Sequence, residues 1–193
     1  MAEALYFENN VEGLFVKALG PRLGAEARAQ LRAVGLDLDR PHRPGYPAQV
    51  WEQALLVCAA ALYPGRPTSE ALFEVGRSFL SGFEQTMFGA ATVERSQLMG
   101  LERTLQRTGR MVRASNNFTE LQVLQPAEGQ FELSASLLPE FRGTLPPAPV
   151  EFPHYLRGLF TSLLAKLGAQ GEIAIKVNDP IARAYTLQLR VRV

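Results

Sequence analysis

The spacing of apolar residues first changes near Asn116-Asn117, and that change limits the folds open to this chain. Before it, apolar residues recur every three to four positions, the period of one helix face. After it they alternate, the period of a strand with one buried side. The alternation is interrupted once by a further helical run, so the tail reads hairpin, helix, hairpin. The pattern predicts an α+β protein: an N-terminal helical part, then hairpin–helix–hairpin forming a four-stranded, mainly antiparallel sheet packed by helices.

A first helix is expected over residues 11–19, with Leu14, Phe15 and Ala18 on one side and Gly20-Pro21 at its end. A second, over 25–34, carries Ala27, Leu31 and Val34 and stops at Gly35. Residues 36–47, LDLDRPHRPGYP, contain three prolines and a glycine and read as an ordered loop. The third helix follows Tyr46-Pro47, with Val50, Trp51, Ala54, Leu55, Cys58, Ala61 and Leu62 as its apolar stripe, and Pro64-Gly65 terminates it. Thr68 or Ser69 caps the fourth, whose broad face holds Phe73, Gly76, Phe79, Leu80 and Phe83. Gly76 and Gly82 cost that helix about 1 kcal/mol each relative to alanine, so close backbone contact or a break is expected there.

A fifth helical region covers about 92–114, with a break at Gly100 and Asn116-Asn117 as its C-terminal cap. Thr119, Leu121 and Val123 then pair with Phe131, Leu133 and Ala135 in the first hairpin. The proline-rich stretch 139–153 is a connector, because too little chain follows it for a second core; the expectation is one domain over 1–193. The sixth helix is marked by Tyr155, Leu156, Leu159, Phe160, Leu163, Leu164 and Leu167, closed by Gly168. The last hairpin pairs Ile173, Ile175 and Val177 with Tyr185, Leu187, Leu189, Val191 and Val193, leaving Arg190 and Arg192 on the open face.

Composition narrows the functions. A net charge of +1 gives the whole molecule no field built for nucleic acid. The lone cysteine, Cys58, makes no internal disulfide and fits a reducing compartment. The opening MAEALYFENN has no basic cluster before an apolar run, and the longest apolar stretch, 54–63, is half a membrane span. A cytoplasmic protein without membrane contact is expected.

Chemistry is sparse. His42 and His154 both stand beside prolines in expected surface loops, with no zinc-like spacing. Cys58 sits on an apolar stripe, the place of a core thiol. Ser69, Ser78 and Ser81 lack a nucleophile elbow, and Glu94 and Glu102 belong to a helix surface. The expectation is therefore no catalytic residue, no metal ligand and no cofactor, in a protein that is not an enzyme. Two features stand out. Arg103, Arg107 and Arg110, with Arg113 nearby, lie opposite Leu101, Leu105, Thr108 and Val112; they form either a solvated face or a strip that docks an anion or an acidic partner. Phe73, Phe79, Phe83 and Phe88, with Met87, are either plain core or the wall of a pocket for an apolar ligand.

The blocks VEGLFVKALG (11–20), GLDLDRPHRPGYPAQVWEQAL (35–55), ALYPGRPTSEALFEVGRSFLSGFEQT (61–86), the arginine-bearing stretch from Gly100 to Asn117 and YLRGLFTSLLAKLGA (155–169) together resemble a paralogous family of unknown function, about 200 residues long and present in many copies in myxobacteria such as Myxococcus. The resemblance spans nearly the whole chain. It implies a module multiplied by duplication, which suits signalling or binding. The element order is also similar to that of haem-nitric-oxide-binding domains. Those hold haem through a histidine on a helix before the first hairpin, and the fifth helix here has none.

The function expected is a non-enzymatic sensory or adaptor module that binds a partner protein or a small apolar ligand, with a homodimer a further possible partnership. The alternatives are an enzyme using Asp37, Asp39 or Glu74 with Arg77, and nucleic-acid binding through Arg103, Arg107 and Arg110. The last is disfavoured by the absence of interleaved aromatics.

Overall fold

The computed structural model describes residues 2–192. A short strand β1 (Leu5–Phe7) leads into α1 (Glu8–Val11), which continues without a break as a π-helical stretch (Glu12–Leu19) and a 3-10 turn (Gly20–Arg22). Helix α2 (Ala25–Ala33), strand β2 (Gly45–Pro47) and helices α3 (Ala48–Leu62), α4 (Thr68–Phe83), α5 (Met87–Met99) and α6 (Leu101–Arg113) complete the helical part. Strands β3 (Thr119–Ala127) and β4 (Gln130–Leu137) form the first hairpin; α7 (Phe152–Lys166) separates it from β5 (Gln170–Asp179) and β6 (Ala184–Arg192).

The two hairpins join through their inner strands into one antiparallel sheet of order β3-β4-β6-β5. Phe131 lies opposite Leu189 and Leu133 opposite Leu187, and both pairs are buried. The alternate residues Ser134 and Thr186 face away and meet through their hydroxyls at 3.0 Å. Arg190 and Arg192 are exposed on that same open side, as the alternation predicts.

Glycine sets how closely the helices on the buried side approach. A Cβ at Gly76 would overlap the Tyr155 carbonyl, and one at Gly158 the Phe73 carbonyl, so α4 and α7 cross backbone to backbone. Gly82 meets the Gly13 carbonyl in the same way, so close contact, not a break, explains both α4 glycines.

Several boundaries differ from expectation. The stretch 36–47 is not all loop: β2 pairs antiparallel with β1, Tyr6 opposite Tyr46. Three-residue strands are too short to show a period. The break at Gly100 is present, with φ +76°, but α5 starts at Met87, where Thr86 Oγ1 accepts a bond from Gly89 N at 3.0 Å. The C-cap position of α6 is Ala114, although Asn116 N still donates to Val112 O at 3.0 Å; the two Asn side chains bond elsewhere. Asn116 Oδ1 accepts from Phe118 N and Thr119 N, while Asn117 accepts from Leu5 N at 2.8 Å and donates to Glu3 O, tying the N-terminal strand to the start of β3. Helix α7 begins at Phe152 with Pro153 in its first turn, which moves His154 from the expected loop into a helix. Val193 lies outside the described residues.

Candidate functional site

Helices α4, α5, α6 and α7 and the buried face of the sheet enclose a cavity of about 180 Å³. Its wall is mostly apolar: Phe79, Phe83 and Phe88 from α4 and α5, Leu156, Leu159 and Leu163 from α7, and Leu133, Ala135 and Leu187 from the sheet. Phe88 and Lys166 are the exposed members of the wall and mark where it meets solvent. Lys166 Nζ is held there by Glu84 at 2.5 Å.

Polar groups enter the wall from several elements, among them Asn10 of α1, Ser96 of α5, Thr108 of α6, Glu52 of α3 and the turn and strand of the last hairpin. Arg183, in the turn before β6, has φ +52°, the one positive φ outside glycine among the described residues. The turn that sets it is shaped by Asp179 Oδ1, which accepts from Ile181 N and Ala182 N. From that strained position the guanidinium, 5% exposed, donates to both carboxylate oxygens of Glu52 on α3, at 2.5 and 3.2 Å. Its Nε donates to Pro146 O at 2.8 Å, so one side chain binds α3 and the proline-rich connector to the last hairpin. Burial pushes the Glu52 carboxyl up from its ordinary value, while the bond and charge of Arg183 act in the opposite direction.

An aromatic chain runs beside this pair. Tyr6 stacks on Trp51 at 4.5 Å; Trp51 meets Tyr155 edge-on at 6.2 Å; Phe152 lies 5.8 Å from Tyr155 and 5.7 Å from Tyr185. Burial raises all three phenols, and for Tyr6 the Glu52 charge adds to it, so none is a phenolate at neutral pH. Trp51 Nε1 and Tyr185 OH are buried without a hydrogen-bond partner among the described residues. Glu52 is the one carboxylate in the wall, and it is committed to Arg183. The arrangement can shelter an apolar molecule and offer it hydrogen bonds.

Of the residues expected to line a pocket, Phe79, Phe83 and Phe88 do so. Phe73 and Met87 do not. Phe73 lies under the Arg157 guanidinium, 4.7 Å from its ring centre, and Met87, first residue of α5, points into solvent at 94% exposure. Helix spacing placed Phe73 with the other phenylalanines, but the close crossing of α7 covers that part of α4. Arg103, Arg107, Arg110 and Arg113 are all exposed on α6, and none is in an ion pair among the described residues. Thr108, Met111 and Val112 of the same helix line the cavity.

Both histidines lie outside the cavity. His42 Nδ1 is 3.4 Å from Tyr46 OH. His154 is not a free surface imidazole: its Nδ1 is buried without a partner among the described residues, and burial, then the Arg157 charge, pull it below its ordinary value. Cys58 is buried and its thiol is pushed up to about 12. Asp39 is paired with Arg28 and Arg32, Asp37 with Arg40, and Glu74 with Arg77; none of these carboxylates reaches the cavity. No group of three or more metal-ligating side chains occurs among the described residues, and no helix among them is long and apolar enough to cross a membrane.

Sequence reasoning singled out neither Glu52 nor Arg183, and it placed Trp51 and Tyr185 on apolar faces as core. One signal was present: Glu52 is the sole charge between Ala48 and Leu62, inside the apolar face of α3.

Residues 4–189 match the family described as a protein of unknown function, DUF2378. The chain belongs to that family. No curated protein matches it. Among solved structures, the DUF2378 chain resembles an H-NOX protein from S. oneidensis in the Fe(II)NO ligation state, with a TM-score of 0.69 at 10% identity over 97% of this chain and 100% of that one. It also resembles an oxygen-binding H-NOX domain related to soluble guanylate cyclases, with a TM-score of 0.65 at 14% identity over 96% and 94%. A doubly substituted Tt H-NOX gives a TM-score of 0.66 at 13% identity over 95% and 93%. At these identities the likeness is one of fold, and the DUF2378 chain has the H-NOX fold.

Proposed function

We propose that this DUF2378 chain is a non-enzymatic sensory or adaptor module whose interior cavity receives a small apolar molecule. The observation that carries this reading is the cavity itself: about 180 Å³ in the middle of the fold, walled by phenylalanine and leucine. Native interiors are close-packed, and empty space of this size costs stability unless something fills it. A cavity of roughly 150 Å³ with a comparable wall admits benzene.

Haem, the group studied in H-NOX structures of this fold, does not fit these residues. Histidine, cysteine thiolate, methionine and tyrosinate are the usual axial ligands. Neither histidine nor Cys58 lines the cavity. Tyr6, Tyr155 and Tyr185 do, but burial keeps them protonated. Met111 alone would leave the iron with one weak thioether. The volume also falls below the roughly 300 Å³ at which sites for drug-sized ligands begin. The non-enzymatic part of the reading is supported by the same wall, whose one carboxylate is paired with Arg183.

Trp51 is the only tryptophan in the chain, so its emission reports on the cavity directly. Titration with toluene is expected to change that emission saturably and to raise Tm; at a hundred times Kd the gain in stability is about 2.7 kcal/mol. Filling the space by Val112→Phe is expected to abolish both effects. Protein purified from its source under gentle conditions is expected to carry a small molecule or a partner in native mass spectrometry. A titration with no response, together with bare protein in the mass spectrum, would remove the proposal.

A further inference from the structure

We infer that the ligand of this cavity is an uncharged molecule with an apolar body and a hydrogen-bond acceptor, such as a ketone, ester or lactone, and that Trp51 and Tyr185 donate to it. This rests on the reading of the cavity as a ligand site and adds the polar half of the recognition.

Buried polar atoms in folded proteins are paired with few exceptions, because leaving one unmade forfeits its hydration for nothing. Here two such exceptions belong to residues of one cavity wall. Trp51 is 2% exposed and Tyr185 5%, and neither Nε1 nor OH has a partner among the described residues. An indole N–H only donates, whereas a tyrosine hydroxyl donates one proton and can also accept. An acceptor is the one kind of group that satisfies both atoms at once.

Charge excludes the other classes. An anion would look for Arg183, but Nε of that residue is bonded to Pro146 O, and Nη1 and Nη2 to Glu52. Taking the guanidinium would strand the Glu52 carboxylate in an apolar wall, which is costly. A cation would need Glu52 and would strand Arg183 in turn. The pair is closed on itself, so a neutral ligand disturbs it least. The space holds one ring with a short substituent, or a chain of similar bulk.

Three probes of nearly equal shape separate the possibilities: acetophenone, its hydrocarbon isostere α-methylstyrene, and benzoate. By titration calorimetry on the full chain, acetophenone is expected to bind at least as tightly as α-methylstyrene, although its carbonyl costs more to desolvate. Tyr185→Phe is expected to weaken acetophenone about tenfold and to leave α-methylstyrene within about twofold, the size of one hydrogen bond. The carbonyl stretch of bound acetophenone is expected at lower frequency than in hexane, with the displacement reduced in Tyr185→Phe. A Tyr185→Phe effect equal on both probes, an unshifted carbonyl, or benzoate binding tightest would each overturn the acceptor assignment while leaving the apolar-ligand reading intact. Ordered waters on both atoms that persist with acetophenone bound would do the same. Failure of all three probes while toluene still binds would overturn the acceptor assignment; failure of toluene as well, with bare protein in the mass spectrum, would end both readings.

Discussion

Arg183 and Glu52 lie 131 positions apart and close the fold on itself through a bidentate ion pair that is almost wholly buried. Such a pair gives little net stability against an apolar replacement, yet it is expensive to break one-sidedly. Arg183→Met is expected to lower unfolding stability by about 3–5 kcal/mol in urea, because Glu52 is left as an unpaired carboxylate in an apolar wall. The double change Glu52→Leu, Arg183→Met should recover most of that loss, and a double change as damaging as the sum of the singles would refute this account. Cys58 is the opposite kind of buried group, one with nothing to do in the folded state. With its thiol pushed to about 12, it should resist iodoacetamide near pH 8 in native protein and react once urea unfolds the chain.

The crossing of α4 over α7 is the contact that positions both sides of the cavity. Because a Cβ at Gly76 would strike the Tyr155 carbonyl, and backbone cannot rotate out of the way, Gly76→Ala is expected to cost about 3 kcal/mol. Gly100→Ala, with open space around it but φ +76°, should cost about 1 kcal/mol. Urea midpoints that do not separate the two variants would show that backbone contact is not what Gly76 provides. The two glycines of α4 were legible in the sequence as a cost needing a cause, and so were the hairpins and the break at Gly100, since each follows from a local period or a single residue's conformational freedom. What the sequence hid has a common character. Strands β1 and β2 are too short for a period, the Asn116 and Asn117 side chains bond to segments far along the chain, and Glu52 finds Arg183 only once the last hairpin has docked. The cavity's phenylalanines were half visible: helix spacing puts Phe73 with Phe79 and Phe83, but which part of that face stays uncovered is decided by α7.

At the scale of the whole molecule, the pH dependence of stability tests whether α7 is seated as described. His154 lies in the first turn of that helix, and the groups acting on it are Arg157 on the next turn, which opposes protonation, and Glu151, which favours it less strongly. Burial and Arg157 together hold the folded imidazole below its ordinary 6.5. The unfolded chain therefore takes up the proton first on acidification. The stability tied to this residue is present above about 6.5 and is lost as pH falls through that value toward the folded one. Glu52 has the reverse sign: its folded carboxyl is raised, so between 4.5 and its folded value acidification favours the fold. The two effects oppose each other, and only a difference between variants isolates the histidine. His154→Gln is expected to match the parent within about 1 kcal/mol near pH 8 and to become relatively more stable as pH drops below 6.5, in urea titrations at a series of pH values. Parallel curves for the two proteins across that interval would mean that His154 is hydrated in the folded state and that the first turn of α7 is not packed as described.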